Sequence, residues 1–514
     1  MGGVKVSIPK LIGHQTEILY VPDNQNMVIT GSAGCGKSLL AIYRIYWLSK
    51  KYPTESIVLL TFNRAVNDDM NRKLKYLAEQ WGDGLPQNLT IMTYHKFMRE
   101  VLQKLVANYS DRYYELNKYI GSKKLIPYNS NRNVQIKAAL EKVKEKYSDE
   151  DESTFNRPLQ TFIDEVIWLQ QMSVDSYEMY EEMERIGRRG TRVERSKRKY
   201  FYEVYEAYLG IRQEENRYFD FEDIGSIICK IIEKLKDEPN IETLTSYKYI
   251  LVDEFQDFTS DMLKTVNVLS DSTGAMVLLG DINQGVFGKR ISYKSLGIDM
   301  RSYKKYQLNQ NYRNSKPISE FALKLSQSKY FDKSNEFYAE AKLGVGEGPK
   351  PKIMKYDNES DELTMMYQFL SSNTIQQTDR SVCVILPTIK AQEFTGYMKH
   401  HGLNVVSVKD KNKFEISKLF YGTYREIKGL EFDIVIMPFL SESIFIESIM
   451  NDNKELEIDK DDWDLEDIDD EILEAYIAQY YVGVTRAKEK LVIIHSGNRT
   501  PLMPEDLFGE YVEE

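Results

Sequence analysis

Two short stretches carry residue types and spacings that can handle phosphate. GSAGCGKS (31–38) fits the pattern G-x-x-x-x-G-K-[ST] between an apolar run and a helical one. Gly31, Gly34 and Gly36 permit backbone turns that aim N–H groups at phosphate oxygens, and Ser32, Ala33 and Cys35 complete the loop. The following helix N-terminus adds a favourable partial charge. Lys37 is expected to reach the β- and γ-phosphates, and Ser38 to ligate Mg²⁺. The second stretch, LVDEFQD (251–257), is an apolar strand that delivers Asp253 and Glu254 to its C-terminal edge, where α/β proteins bind ligands. Asp253 can hold Mg²⁺, and Glu254 can orient or deprotonate an attacking water. A buried acidic pair without such a role is costly. ATP hydrolysis with Mg²⁺ is the chemistry these residues predict.

The elements that must position them are α/β layers. Short β-branched and apolar runs alternate with longer amphipathic ones, which predicts parallel sheets. NMVIT (26–30), SIVLLTF (56–62), LTIMT (89–93), YKYILVD (247–253) and AMVLLGD (275–281) read as buried strands. A second cycle has strands at SVCVILP (381–387), LNVVSV (403–408), DIVIMP (433–438) and KLVIIHS (490–496). Strand-like runs vanish from about 105 to 210, where helical spacing of Lys, Glu, Tyr and Gln predicts a helical insertion. The expected organisation is a first α/β domain of 1–104 and 211–297, the helical insertion of 105–210, and a second α/β domain of 298–514.

RIGRRGTRVERSKRK (185–199) holds eight basic residues against one Glu, as a solvated face or as a patch that tracks phosphates. NDNKELEIDKDDWDLEDIDDE (451–471) reads as a solvated acidic loop or as a dock for a basic partner. The net charge of −11 argues against passive coating of nucleic acid but leaves room for a local basic groove. Cys35, Cys229 and Cys383 are too few and too scattered for a disulfide framework or a cysteine-ligated zinc. No stretch of about 18 uninterrupted apolar residues exists, so no membrane-spanning helix and a cytoplasmic location are expected.

Further motifs follow one another in the order found in UvrD/Rep/PcrA-like superfamily 1 DNA helicases, which the chain resembles over nearly its whole length. Gln15, sixteen residues before Gly31, is similar to the glutamine that reads adenine in that family. TFNRAVNDDM (61–70) and TYHKF (93–97) resemble its two early strand-contacting motifs, which implies Thr61, Asn63, Arg64, Thr93 and His95 as nucleic-acid contacts. DFEDI (220–224) resembles the segment that precedes the acidic strand. GDINQ (280–284) is similar to the coupling motif, with Gln284 as γ-phosphate sensor and Phe287 beyond it as a ring near the strand. LNQNYRNSKPI (308–318) implies Tyr312 stacked on adenine and Arg313 on the γ-phosphate. GTYREIKGLEFD (422–433) and YVGVTRAKEKL (481–491) imply Thr423 and Arg425 on the strand, Glu431 on ribose and Arg486 as the second γ-phosphate arginine.

Three departures qualify the resemblance. The family commonly reads Gln-Ser-Ile-Tyr-Gly-Trp-Arg where this chain has QGVFGKR (284–290), so Lys289 replaces a tryptophan. Losing a stacked base weakens grip by about 1–3 kcal/mol, while a lysine can contact phosphate or be solvated. Arg425 stands where a histidine is common. The large helical domain usually inserted before GTYREIKGLEF is absent, with VKDKNKFEISKLFYG (408–422) in its place, and no nuclease extension is expected.

The resemblance implies that the two α/β domains are RecA-like, and that the chain is an ATP-dependent translocase or helicase on single-stranded DNA with 3′→5′ polarity. RNA stays open, because phosphate contacts dominate such grips. Compact relatives in bacterial anti-phage systems imply an alternative, a nucleic-acid-gated ATPase subunit that regulates a partner such as a nuclease. A metabolic phosphate-loop enzyme is the third reading.

Overall fold

The structure, a computed structural model, describes residues 10–82, 84–119, 131–147, 152–183, 185, 193–281, 301–331, 342–410, 417–453, 458 and 463–511. The first of two six-stranded sheets contains β1 (Met27–Gly31), β2 (Ile57–Thr61), β3 (Leu89–Thr93), β4 (Tyr247–Asp253), β5 (Ser270–Gly280) and β6 (Lys304–Leu308) in the order β3-β2-β4-β5-β1-β6. All its pairings are parallel. Successive residues of β4 point to opposite faces, so Ile250 and Val252 join one core while Leu251 joins the other. This double burial is why β1, β2 and β4 read as continuous apolar runs.

A short parallel pair, β7 (Asn311–Ser315) with β8 (Gly344–Gly346), leads to the second sheet. That sheet contains β9 (Lys352–Tyr356), β10 (Val382–Leu386), β11 (Val406–Ser407), β12 (Leu419–Thr423), β13 (Phe432–Met437) and β14 (Ala487–Ser496) in the order β11-β12-β10-β13-β14-β9, again all parallel. Two parallel α/β layers agree with the expected fold class.

Three strands of the two six-stranded sheets escape the apolar pattern. β6 and β9 are edge strands, partly exposed and with two lysines each. β12 merges into the GTYREIKGLEFD stretch. Because β6 pairs with β1, the first sheet extends past the expected boundary at 297. The helix Tyr94–Tyr109 likewise crosses residue 104, with Leu105 and Val106 packed in the core of the first sheet. The helices Arg132–Lys146, Leu159–Gln171, Tyr177–Glu182 and Arg198–Glu214 form a separate cluster around Phe162, Trp168, Phe201 and Tyr208.

The basic segment is partly built into this cluster. Arg185 pairs with buried Glu165 at 2.5 Å, and Arg198 donates to the carbonyls of Tyr180, Glu181 and Met183. In the acidic segment, Trp463 and Leu465 pack against the core of the second sheet. Among the described residues, no helix is long and apolar enough to cross a membrane.

Candidate nucleotide cleft and strand-facing edge

β1 ends at Gly31 and the helix Lys37–Lys51 starts six residues later. The turn between them requires positive φ at Gly34 (+77°) and Gly36 (+83°), where an added Cβ would lie 2.4 Å from Asn311 Oδ1 and 2.4 Å from Gln15 Nε2. Lys37 is buried and donates from Nζ to the carbonyls of Gly31 (2.8 Å) and Ser32 (3.1 Å). Burial works against its charge, but Cys35, Asp281, Glu254 and Asp253 hold it above the ordinary lysine range. Burial pushes the Cys35 thiol up, so it is neutral near neutral pH and the carboxylates do the holding.

β4 ends at Asp253, which is 1% exposed. Its Oδ2 accepts from Ser38 Oγ at 2.8 Å, and its Oδ1 has no hydrogen-bond partner. A hydroxyl and a carboxylate side by side, one oxygen unsatisfied, are hard donors that fit Mg²⁺. Burial and then the charge of Glu254 push the Asp253 carboxyl up. Glu254 takes the left-handed backbone conformation at φ +53°. Burial opposes its charge, but Lys37, Lys428, Gln256 and Arg486 hold it below the usual carboxylate range. Gln256 donates to Glu254 Oε2 at 2.6 Å and accepts from the backbone N–H of Asp281 at 3.1 Å.

The second sheet supplies the opposite wall. Arg486 follows the helix Asp470–Thr485, is 1% exposed, and donates to the carbonyls of Val482 (3.1 Å) and Leu430 (3.3 Å). Burial, then the charge of Arg313, lowers it to about 10, which leaves it cationic at neutral pH. Glu431 meets Arg313 at 2.8 Å and Lys488 at 3.2 Å. Burial opposes its charge, yet Arg313, Lys488 and Lys73 hold it far below the carboxylate range.

A cleft of about 400 Å³ runs between these walls. Gln15, Ala33, Gly34, Gly36, Lys37, Ser38 and Glu254 line one side, and Tyr312, Arg313, Glu431 and Arg486 the other. Gln15 is engaged at both ends of its amide, donating to Cys35 O at 2.8 Å and accepting from Ile12 N–H at 3.1 Å. Tyr312 is 38% exposed, and its N–H donates to Gly34 O at 2.9 Å.

Of the nucleic-acid residues expected from the sequence, Thr61, Asn63, Arg64 and Thr93 lie at the C-terminal ends of β2 and β3, and Arg425 approaches them from the second sheet. Thr61 and Thr93 are register partners at the C-terminal ends of β2 and β3. Asn63 caps the helix Arg64–Gln80, accepting from Ala65 N–H at 2.8 Å, and Arg64 is exposed. Thr423 is buried at the end of β12, and Arg425 beyond it is exposed. A cavity of about 110 Å³ touches Thr61, Asn63 and Arg425 together with Asp253 and Glu254, so edge and cleft are neighbours. His95 is turned inward, its Nε2 3.2 Å from Phe221 O and its ring edge-on to Phe221. Burial lowers it to about 4, leaving it neutral where a phosphate contact would want a cation. Gln284, Phe287 and Lys289 lie outside the described residues.

Sequence reasoning passed over Gln256, Asp257, Lys428 and Lys488. Each lies inside a motif already quoted, two or three residues from a position that motif assigns, and that placement was the available signal.

The sequence matches the model of the UvrD/REP helicase N-terminal domain over residues 13–296, more than half of the chain. The chain belongs to the UvrD/Rep helicase family. Among similar members, a probable DNA helicase of Mycoplasma pneumoniae is 22% identical over 500 residues, 92% of this chain and 81% of the relative. A probable DNA helicase II homolog of Mycoplasma capricolum is 24% identical over 327 residues, 62% of this chain and 41% of the relative. The ATP-dependent DNA helicase Rep of Buchnera aphidicola from Acyrthosiphon pisum is 24% identical over 337 residues, 62% and 46%. This UvrD/Rep-family chain spans less than half the length of the last two relatives.

Proposed function

We propose that the chain hydrolyses ATP in the cleft between its two sheets and couples each cycle to stepping along single-stranded DNA, with 3′→5′ polarity. The observation that carries this reading is the two-sided cleft, with Lys37 and Glu254 on one wall and Arg313 and Arg486 on the other. A γ-phosphate between them draws the walls together, and its loss releases them. Lys37 leaves its carbonyl partners for phosphate oxygens, and Arg313 exchanges Glu431 for the γ-phosphate. Glu431 is then available to ribose hydroxyls, and Tyr312 to the adenine face. Glu254, held ionised, orients the water and accepts its proton as oxygen attacks the γ-phosphorus and the bond to the bridging oxygen breaks. Ser38 and Asp253 would hold Mg²⁺, which neutralises phosphate charge when bound.

Thr61, Thr93, Arg64, Thr423 and Arg425 hold the strand, mainly through phosphate, so RNA is a second ligand to test. A second reading draws support from the eleven residues that separate Ser407 from Leu419, too few for a large helical domain at that point. In it the chain is a strand-gated ATPase that regulates a partner such as a nuclease, in repair or defence. The three cysteines are free thiols, which suits a reducing cytosol.

ATP turnover with and without a single strand tests the coupling, and equal rates sink both readings. Displacement of a labelled strand from a 3′-tailed duplex separates them. Lys37→Ala removes about a thousandfold of turnover, on the order of 4 kcal/mol; persistence of activity refutes the site.

A further inference from the structure

The turn after β12 serves two faces of the molecule. Arg425 stands exposed at the strand-facing edge, and Glu431 reaches the nucleotide cleft. Between them Lys428, 5% exposed, meets Asp257 Oδ1 at 2.5 Å. Asp257 is also buried and belongs to the other wall, three residues after Glu254. The ion pair therefore crosses between the two α/β layers with almost no water around it.

Two charges taken out of water stabilise a fold no better than an apolar pair of the same shape, which points to a use beyond stability. The surroundings indicate one. Gly429, at φ +81°, lies so close to the helix Arg64–Gln80 that an added Cβ would sit 2.2 Å from Val66 Cγ2. The turn is thus pressed against the helix that carries Arg64. On its other side, Lys428 shares the small cavity with Glu254 and is, after Lys37, the strongest cation acting on that carboxylate.

We propose that Lys428 is a positioning residue that carries strand occupancy to the hydrolytic centre: phosphate held at Arg64 and Arg425 fixes the turn, the turn seats Lys428 on Asp257, and Lys428 holds Glu254 in place. Buried and engaged by Asp257, its ammonium acts through these carboxylates and does not touch the strand. The inference rests on the reading of the chain as a strand-stimulated ATPase.

The test measures ATP turnover of the full chain with saturating oligo-dT and without it, for the wild type, Lys428→Met, Lys428→Arg and Asp257→Asn. Lys428→Met and Asp257→Asn are expected to lose about tenfold of the stimulation ratio while the KM for ATP stays within about threefold. Lys428→Arg, which keeps the charge, is expected to retain at least about half of the ratio. An unchanged ratio in Lys428→Met overturns the proposal. So does an equal loss in Lys428→Arg and Lys428→Met accompanied by an equal fall in Tm, which assigns the pair to stability alone. A wild type without stimulation overturns the functional reading and this inference with it, and that failure is visible before any substitution.

Discussion

The proposed nucleotide cleft and the proposed strand-facing edge lie within one cavity's width of each other and are built on opposite plans. In the cleft the charges are buried or half-buried and most are already answered: Lys37 by two carbonyls, Arg313 by Glu431, Arg486 by carbonyls of its own layer. At the edge the cations Arg64 and Arg425 stand in water, and the neighbouring threonines are held by backbone register. A ligand entering the cleft must exchange partners in a low dielectric, which makes binding selective and strongly felt. A ligand at the edge displaces only water and counterions, which makes binding sequence-tolerant and salt-sensitive.

The largest effect that would separate the two regions is expected from Glu254→Gln. It removes the proposed general base and should lower ATP turnover by about 10²–10³-fold, while nucleotide and strand affinities stay close to wild type. Single-turnover hydrolysis beside equilibrium binding decides it, and a parallel loss of strand affinity would break the contrast. Smaller effects are expected at the edge. Arg64→Ala and Arg425→Ala should each reduce the log–log salt slope of single-strand binding by about 0.7, the value of one phosphate contact. Unchanged slopes would remove these arginines from the edge.

The smallest functional effect is expected from His95→Gln, with strand affinity at neutral pH within about twofold of wild type. Its signature is in stability. His95 titrates near 4 in the folded chain against 6.5 unfolded, so the unfolded state binds the extra proton first. Its contribution is therefore present above pH 6.5 and lost as pH falls toward 4, by about 3 kcal/mol in all. Thermal unfolding across that window should be flatter for the variant, and identical curves would return His95 to the strand surface.

The same contrast explains what could be read from the sequence. The phosphate loop was legible because it depends on backbone conformation, which Gly34 and Gly36 announce by type. Asp253 was legible because two charges closing an apolar strand have few inexpensive explanations. The roles of Gln15 and Glu431 were less so, since their partners, Cys35 O and Arg313, come from parts of the chain that only folding brings together. His95 fitted a motif, yet its environment is made by Phe221, far along the chain. Edge strands such as β6 were hidden because one solvated side removes the apolar run that marks a buried strand.

The crossing from the first sheet to the second is pinned on both sides. Tyr312 is tied to the first layer through its N–H on Gly34 O. Asn314, two residues on, is tied to the second through its amide on the carbonyls of Thr485 and Ala487. Arg313 lies between these anchors, at the axle of any rotation that moves one layer against the other along this connection. A group on an axle changes its angle while hardly changing its place. In the proposed cycle the guanidinium would keep its place on the γ-phosphate while the two layers swing about it.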